Sequence, residues 1–311
     1  MCGLLPLQPS QPLQRNLRIF KFSEDGIGVF PVEALRKSAC VSKLFDDIHI
    51  LDFRIRIAIY LEKSENDIRM KKGILILVVF YSAFFSTLVF ALKQEMDAYA
   101  QLRKRMVEQQ LAARDITDPL VLKVMGEVPR HLFVRPRDRN LAYNDYPLPI
   151  DEGQTISQPY IVALMTQHLG IKKGDKVLEV GTGSGYQAAV LAHLADQVYS
   201  VEIKDDLAKR STKLLKDLNY NNVHVKVGDG YMGWEEHAPF DAIIVTCAAN
   251  RIPPLLLEQL KEGGRLVIPL ESTFLYQTLT LVTKRKGKPV VERITDVRFV
   301  PMVGEIKKKN K

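Results

Sequence analysis

The chain has 311 residues, 46% of them hydrophobic and 26% charged, with 44 Lys and Arg against 36 Asp and Glu. That composition supports a sizeable core and excludes wholesale disorder, while 18 Gly and 16 Pro exclude collagen-like and low-complexity chains. Of the formal charge of +8, the tail residues Lys307, Lys308, Lys309 and Lys311 supply half and residues 93–306 only +1, which argues against a nucleic-acid binder.

Residues 1–69 show no sustained periodicity. Their Pro- and Gln-rich opening and short apolar patches, such as Ile55-Arg56-Ile57, read as a poorly structured leader or as sequence upstream of a true start at Met70. Gly73 to Leu92 is an uncharged run of 20 residues, long enough to cross a bilayer as a helix. Met70-Lys71-Lys72 precedes it and Val89-Phe90-Ala91 closes it, the layout of a secretory signal peptide or an anchor over 70–92. Residues 93–306 then form the expected folded domain, followed by the basic tail 307–311.

Within that domain, Met106 to Leu111 and Pro119 to Val128 predict two amphipathic helices, the second opened by Asp118 as cap and Pro119 at the first helical position. From Gly174 onward, apolar runs alternate with helical patterns: KVLEV, YQAAVLAHLA, QVYSVEI, DDLAKRSTKLLKDL, VHVKVGD, DAIIVT, PPLLLEQL and GGRLVIPL. This alternation predicts an α/β fold, a mostly parallel sheet covered by helices on both faces. The last stretch, from Thr278 to Met302, predicts antiparallel strands around a Lys-Gly-Lys turn.

The chemistry concentrates at the ends of the strands. Gly181-Thr182-Gly183-Ser184-Gly185 follows one strand and opens a helix, the context in which a glycine turn brings backbone N–H groups to a ligand. The spacing departs from a dinucleotide fingerprint, because Tyr186 stands where its third glycine belongs. Glu202-Ile203 ends the second strand, where a carboxylate reaches ribose hydroxyls, and Asp229-Gly230 ends the third, near an adenine amino group. Glu179, just ahead of the turn, is placed to meet an ammonium group. An ammonium, a ribose and an adenine without a pyrophosphate describe S-adenosylmethionine. His131, His168, His193, His224 and His237 show no metal spacing, and the cysteines Cys2, Cys40 and Cys247 form no CxxC pair, so no metal is expected.

Gly153-Gln154-Thr155-Ile156-Ser157-Gln158-Pro159-Tyr160, lying ahead of the glycine turn, resembles the signature of protein-L-isoaspartate O-methyltransferases of the bacterial branch. PRHLFVRP, AYNDYPLPI, LEVGTGSGYQ, GDG, FDAIIVTCAA, LKEGGRLVIPL and FVPM agree with it in order, over about residues 100–306. The resemblance implies a class I, Rossmann-like S-adenosylmethionine-dependent methyltransferase fold with a seven-stranded sheet. It implies methyl transfer to the free carboxylate of L-isoaspartyl residues in damaged proteins, initiating repair through a succinimide. It also implies Ser157 as the active-site serine, and Gln154, Thr155 and Ile156 at the boundary between cofactor and substrate. Val245, Thr246, Ala248, Val300 and Pro301 are implied beside the substrate peptide.

Partners are therefore isoaspartyl-containing proteins and peptides rather than nucleic acid, and a monomer is expected. Two alternatives are a class I methyltransferase for a small molecule or RNA, and a catalytically silent domain tethered by 73–92. Location is divided: the co-substrate places the enzyme in the cytoplasm, while the run 73–92 would export or anchor it. We expect the cytoplasm.

Overall fold

The computed structural model describes residues 68–271 and 277–305; the leader, its apolar patches and the basic tail lie outside the described residues. Helix α1 (Ile68–Arg105) runs for 38 residues and passes without a break into a π-helical turn, Met106–Leu111. The separate helix expected over 106–111 is thus the end of one long helix. No Gly or Pro interrupts 93–111, so nothing in the backbone stops it. Phe80, Phe84 and Phe90 on this helix are exposed. Among the described residues no helix is long and apolar enough to cross a membrane; several side chains of the run 73–92 lie outside that description.

The C-terminal end of α1 docks on the domain. The Tyr99 ring stacks on His131 with centroids 4.0 Å apart, and Arg103 Nε donates to the Gly126 carbonyl at 2.7 Å. Helix α2 (Pro119–Glu127) starts as the sequence predicts: Asp118 Oδ1 accepts from the Leu120 and Val121 N–H groups. Two 3₁₀ turns, Arg130–Leu132 and Pro136–Leu141, and a short ladder of β1 (Leu148–Pro149) with β2 (Thr155–Ile156) lead to α3 (Pro159–Leu169).

The alternating half follows as β3 (Lys176–Val180), α4 (Tyr186–Ala192), β4 (Gln197–Glu202), α5 (Asp205–Asp217), β5 (Val223–Val227), β6 (Phe240–Val245), α6 (Pro254–Gln259), β7 (Leu260–Glu271), β8 (Gln277–Arg285) and β9 (Lys288–Val297). These seven strands form one sheet in the order β5-β4-β3-β6-β7-β8-β9. Strands β5 to β7 of that row pair parallel, and β8 and β9 add an antiparallel hairpin through the expected turn, at Lys286-Gly287. The mostly parallel α/β sheet read from the sequence is therefore the one observed.

The two-residue period of the strands divides the core. Val177, Ala242, Ile244 and Val267 pack on one face with Val162, Val190, Leu207 and Leu215 of α3, α4 and α5. Leu178, Val180, Ile243, Val245 and Leu266 pack on the other with Tyr231, Trp234 and Leu256. The sheet order reverses between β3 and its neighbours β4 and β6, and the crevice at the carboxyl ends of those strands is where ligands bind in open α/β sheets.

Candidate active site

That crevice holds a cavity of about 220 Å³. One wall is the glycine turn that follows β3. Gly181 has φ +97°, and a Cβ on it would lie 2.4 Å from Thr246 Oγ1. Only glycine combines that backbone angle with that approach. Thr246 Oγ1 in turn donates toward the Val180 and Gly181 carbonyls, at 3.0 and 2.7 Å. The turn is thereby tied to the end of β6.

Glu202 ends β4 and is nearly buried. Its Oε2 accepts from the Gly183 N–H at 2.8 Å and its Oε1 from the Lys204 N–H at 3.0 Å. The carboxylate keeps further lone pairs on the cavity side. Ile203 and Lys204 continue the wall, and Lys204 Nζ lies 3.5 Å from Glu152, so its charge is answered locally.

The opposite wall comes from a loop distant in sequence. Gln154, Thr155, Ile156 and Ser157 all line the cavity. Ser157 is half-buried, and its backbone carbonyl accepts from Arg130 Nη2 at 2.7 Å. A strap closes the third side: the Ala248 N–H donates to the Val300 carbonyl, and the Met302 N–H donates back to Ala248, at 2.8 and 2.7 Å. Val300 and Pro301 face the cavity with Met302 and Val303. At the far end of the strap Gly304, φ +107°, passes so close to Asp229 that a Cβ would meet its carboxylate at 2.4 Å.

Most of the residues singled out in the sequence meet here. Gly181, Thr182, Gly183, Ser184, Glu202, Ile203, Gly230 and Thr246 line the same cavity as Ser157. Five do not reach its wall. Gly185 is buried behind the turn at the start of α4, and Val245 and Ala248 are buried beneath the wall. The Asp229 carboxylate turns inward, accepting from the Tyr231 and Glu305 N–H groups at 2.9 and 2.7 Å, so it fastens the strap.

Glu179 is fully buried behind the turn. Ser200 Oγ donates to its Oε2 at 2.5 Å, and Thr182 Oγ1 lies 2.6 Å from the same serine. Burial pushes Glu179 up to about 8; the Ser200 hydrogen bond opposes this and the Glu202 charge adds to it. Burial, then the charges of Glu202 and Asp229, raise the Cys247 thiol to about 12, so this cavity-lining cysteine stays a neutral thiol.

Sequence reasoning missed Lys204, Met302, Val303, Val162, Met165 and Gln187 among the lining residues. Lys204 adjoins Glu202-Ile203, Gln187 and Met302 close the motifs LEVGTGSGYQ and FVPM, and Val303 follows the latter, so these carried a signal; Val162 and Met165 enter through tertiary packing. Among the described residues no group of three His, Cys, Asp or Glu side chains converges to hold a metal ion.

The donors present suit S-adenosylmethionine. A carboxylate at the end of the second strand of the parallel row suits a ribose diol, and a wall whose only lysine is paired to Glu152 suits a ligand that carries positive charge.

A family model described as protein-L-isoaspartate(D-aspartate) O-methyltransferase matches residues 101–307. A protein-L-isoaspartate O-methyltransferase of Opitutus terrae is 58% identical over 203 residues, covering 65% of this chain and 87% of its own. One from Shewanella sediminis is 54% identical over 210 residues, covering 68% and 86%. Among solved structures, a protein-L-isoaspartate O-methyltransferase superposes with a TM-score of 0.60 at 29% identity, covering 67% of each chain. A Plasmodium falciparum structure of the same description, in complex with S-adenosyl-L-homocysteine, gives 0.58 at 30% identity, covering 65% of this chain and 98% of the other.

Proposed function

This chain belongs to the protein-L-isoaspartate(D-aspartate) O-methyltransferase family, and from that premise we propose that Ser157 places the substrate carboxylate while the glycine turn and Glu202 hold the methyl donor. The enzyme is an S-adenosylmethionine-dependent protein carboxyl methyltransferase that methylates L-isoaspartyl residues, the first step of repair through a succinimide. The observation that carries the assignment of roles is the shared cavity: Ser157 and the segment 181–184 with Glu202, which come from separate parts of the chain, face one space.

The chemistry asks little of the protein beyond placement. A carboxylate is already nucleophilic, so no strong base is needed. S-adenosylmethionine supplies a methyl group activated on a sulfonium. The protein must align the carboxylate oxygen with that methyl carbon and keep water out. The Glu202 carboxylate, held by the Gly183 and Lys204 amides, takes the ribose hydroxyls. The backbone of 181–184 approaches the amino-acid portion, and Gln154, Thr155 and Ile156 separate donor from acceptor. The Ser157 hydroxyl donates a hydrogen bond to the substrate carboxylate or its backbone, as a positioning group and not a covalent nucleophile. Thr246, Val300 and Pro301 flank the peptide. Val245, Ala248, Glu179 and Asp229 support this wall from behind: Glu179 buttresses the turn through Ser200 and Thr182.

Substituting Ser157→Ala tests the assignment. The expected result is a fall in kcat/KM for an isoaspartyl peptide of about 100-fold, with S-adenosylmethionine affinity kept within about threefold. Unchanged kcat/KM removes Ser157 from the mechanism.

The near-neutral body 93–306 supports a protein substrate over RNA. We place the enzyme in the cytoplasm, where its co-substrate is made, with residues 93–306 as the catalytic unit. The exposed Phe80, Phe84 and Phe90 favour a second reading, attachment or export through 73–92.

A further inference from the structure

Arg130 is among the largest fully buried side chains, and among the described residues no carboxylate pairs with it. Its Nε donates to the Ala142 carbonyl and its Nη2 to the Ser157 carbonyl, both at 2.7 Å. Its guanidinium carbon sits 4.8 Å from the centre of the Tyr186 ring, and Nη1 has no hydrogen-bond partner. A cation buried without a counter-ion is costly, and an apolar side chain of similar length would fill the space at less cost. Packing alone does not explain this residue.

Its contacts do. Ser157 and Tyr186 both line the active-site cavity, Ser157 on the substrate side and Tyr186 directly after the glycine turn. They stand 29 residues apart in sequence, and the strand before Ser157, β2, has only two residues. Among the described residues, the planar guanidinium is the one group both bonded to the Ser157 backbone and placed over the ring of the first residue of α4. We propose that Arg130 is a positioning residue for methyl transfer: it sets the distance between Ser157 and the cofactor turn by holding the Ser157 carbonyl while seated on the Tyr186 ring. Lysine substitutes only in part: it keeps a donor for one carbonyl but lacks the flat fork that meets two carbonyls and an aromatic face at once.

This inference rests on the reading of Ser157 as the group that places the substrate, and a double-mutant cycle separates the two. R130M, R130K, S157A and the doubles R130M/S157A and R130K/S157A are compared for kcat and KM with an isoaspartyl peptide, and for S-adenosylmethionine affinity by calorimetry. R130M is expected to lower kcat/KM by about 100-fold, mostly in kcat, while each folded molecule still binds the co-substrate within about threefold. R130K is expected to recover about tenfold of that loss. In the S157A background R130M is expected to cost less than about threefold more, because the two act as a unit. If R130M fails to fold, R130K alone in both backgrounds gives the same cycle. An S157A enzyme with wild-type kcat/KM refutes the role of Ser157, and Arg130's with it. An impaired S157A whose loss multiplies with that of the Arg130 variant refutes the role of Arg130 alone. So does a loss in kcat matched by a loss of co-substrate binding sites, which marks Arg130 as structural only.

Discussion

The Gly183 N–H donates to Glu202 Oε2 at 2.8 Å, joining the glycine turn after β3 to the acid that ends β4. One bond thus fixes the two elements that meet the co-substrate, and it presets the carboxylate for a diol. Replacing Glu202 with Gln keeps the shape but gives up the charge and leaves an amide facing donors. E202Q is expected to weaken S-adenosylmethionine binding about 10- to 100-fold, the cost of losing a charged hydrogen bond in a nearly buried site. Isothermal calorimetry of the two proteins checks this; equal affinities contradict it.

Gly181 sets the turn itself. An alanine there must adopt φ +97° and bring its methyl to 2.4 Å from Thr246 Oγ1. G181A is expected to lose about 2–4 kcal/mol of stability from the strained backbone and the clash together. Denaturant unfolding with and without co-substrate measures it. The companion variant G181A/T246A, which removes the hydroxyl, should recover part of the loss.

Glu179 gives the enzyme without its co-substrate a pH signature. Its carboxyl, pushed up to about 8 by burial, holds a proton in the folded state that it loses near 4.5 in the unfolded chain. A raised carboxyl stabilises the fold fully below the unfolded value and loses that contribution as pH rises toward 8. Stability should therefore fall between about pH 4.5 and 8, by a few kcal/mol in order of magnitude. E179Q, permanently neutral, should show a flatter profile over that window. Parallel slopes for the two proteins would contradict the assignment.

The long helix α1 separates into two roles. Tyr99 and Arg103 dock on His131 and Gly126, whereas Phe80, Phe84 and Phe90 stay exposed. A chain starting at Lys93 should keep kcat/KM within about twofold of the full chain, because it keeps those docking contacts. A chain starting at Met106 loses them and should unfold at a lower temperature. Fractionating cells that express the full chain tests location: activity confined to a membrane or exported fraction would overturn the cytoplasmic assignment.

The sheet and the glycine turn were legible because their signals are local: a β-branched run, a GxGxG turn and an apolar helix lie within a few dozen residues. Glu202 was legible for the same reason, as the acid ending the next strand. The limits lie in orientation and in distance. Glu179 and Asp229 stand at the expected strand ends, but Glu179 shares the strand face of Val177 and packs against Ser200, while Asp229 caps its own turn and the strap. Neither orientation is written in spacing. Arg130 and the strap around Met302 act across 27 and 54 residues, through contacts that only the folded chain creates. The break expected at Met106 came from a change in composition, which leaves a helix free to continue.

Isoaspartyl specificity is tested most directly by transfer of a radiolabelled methyl group from S-adenosylmethionine to two synthetic peptides that differ only in one residue, L-isoaspartyl in one and L-aspartyl in the other. Base-labile methyl ester is expected on the isoaspartyl peptide and none above background on its aspartyl twin. Equal labelling of the two, or labelling of neither by protein that binds the co-substrate, would contradict it.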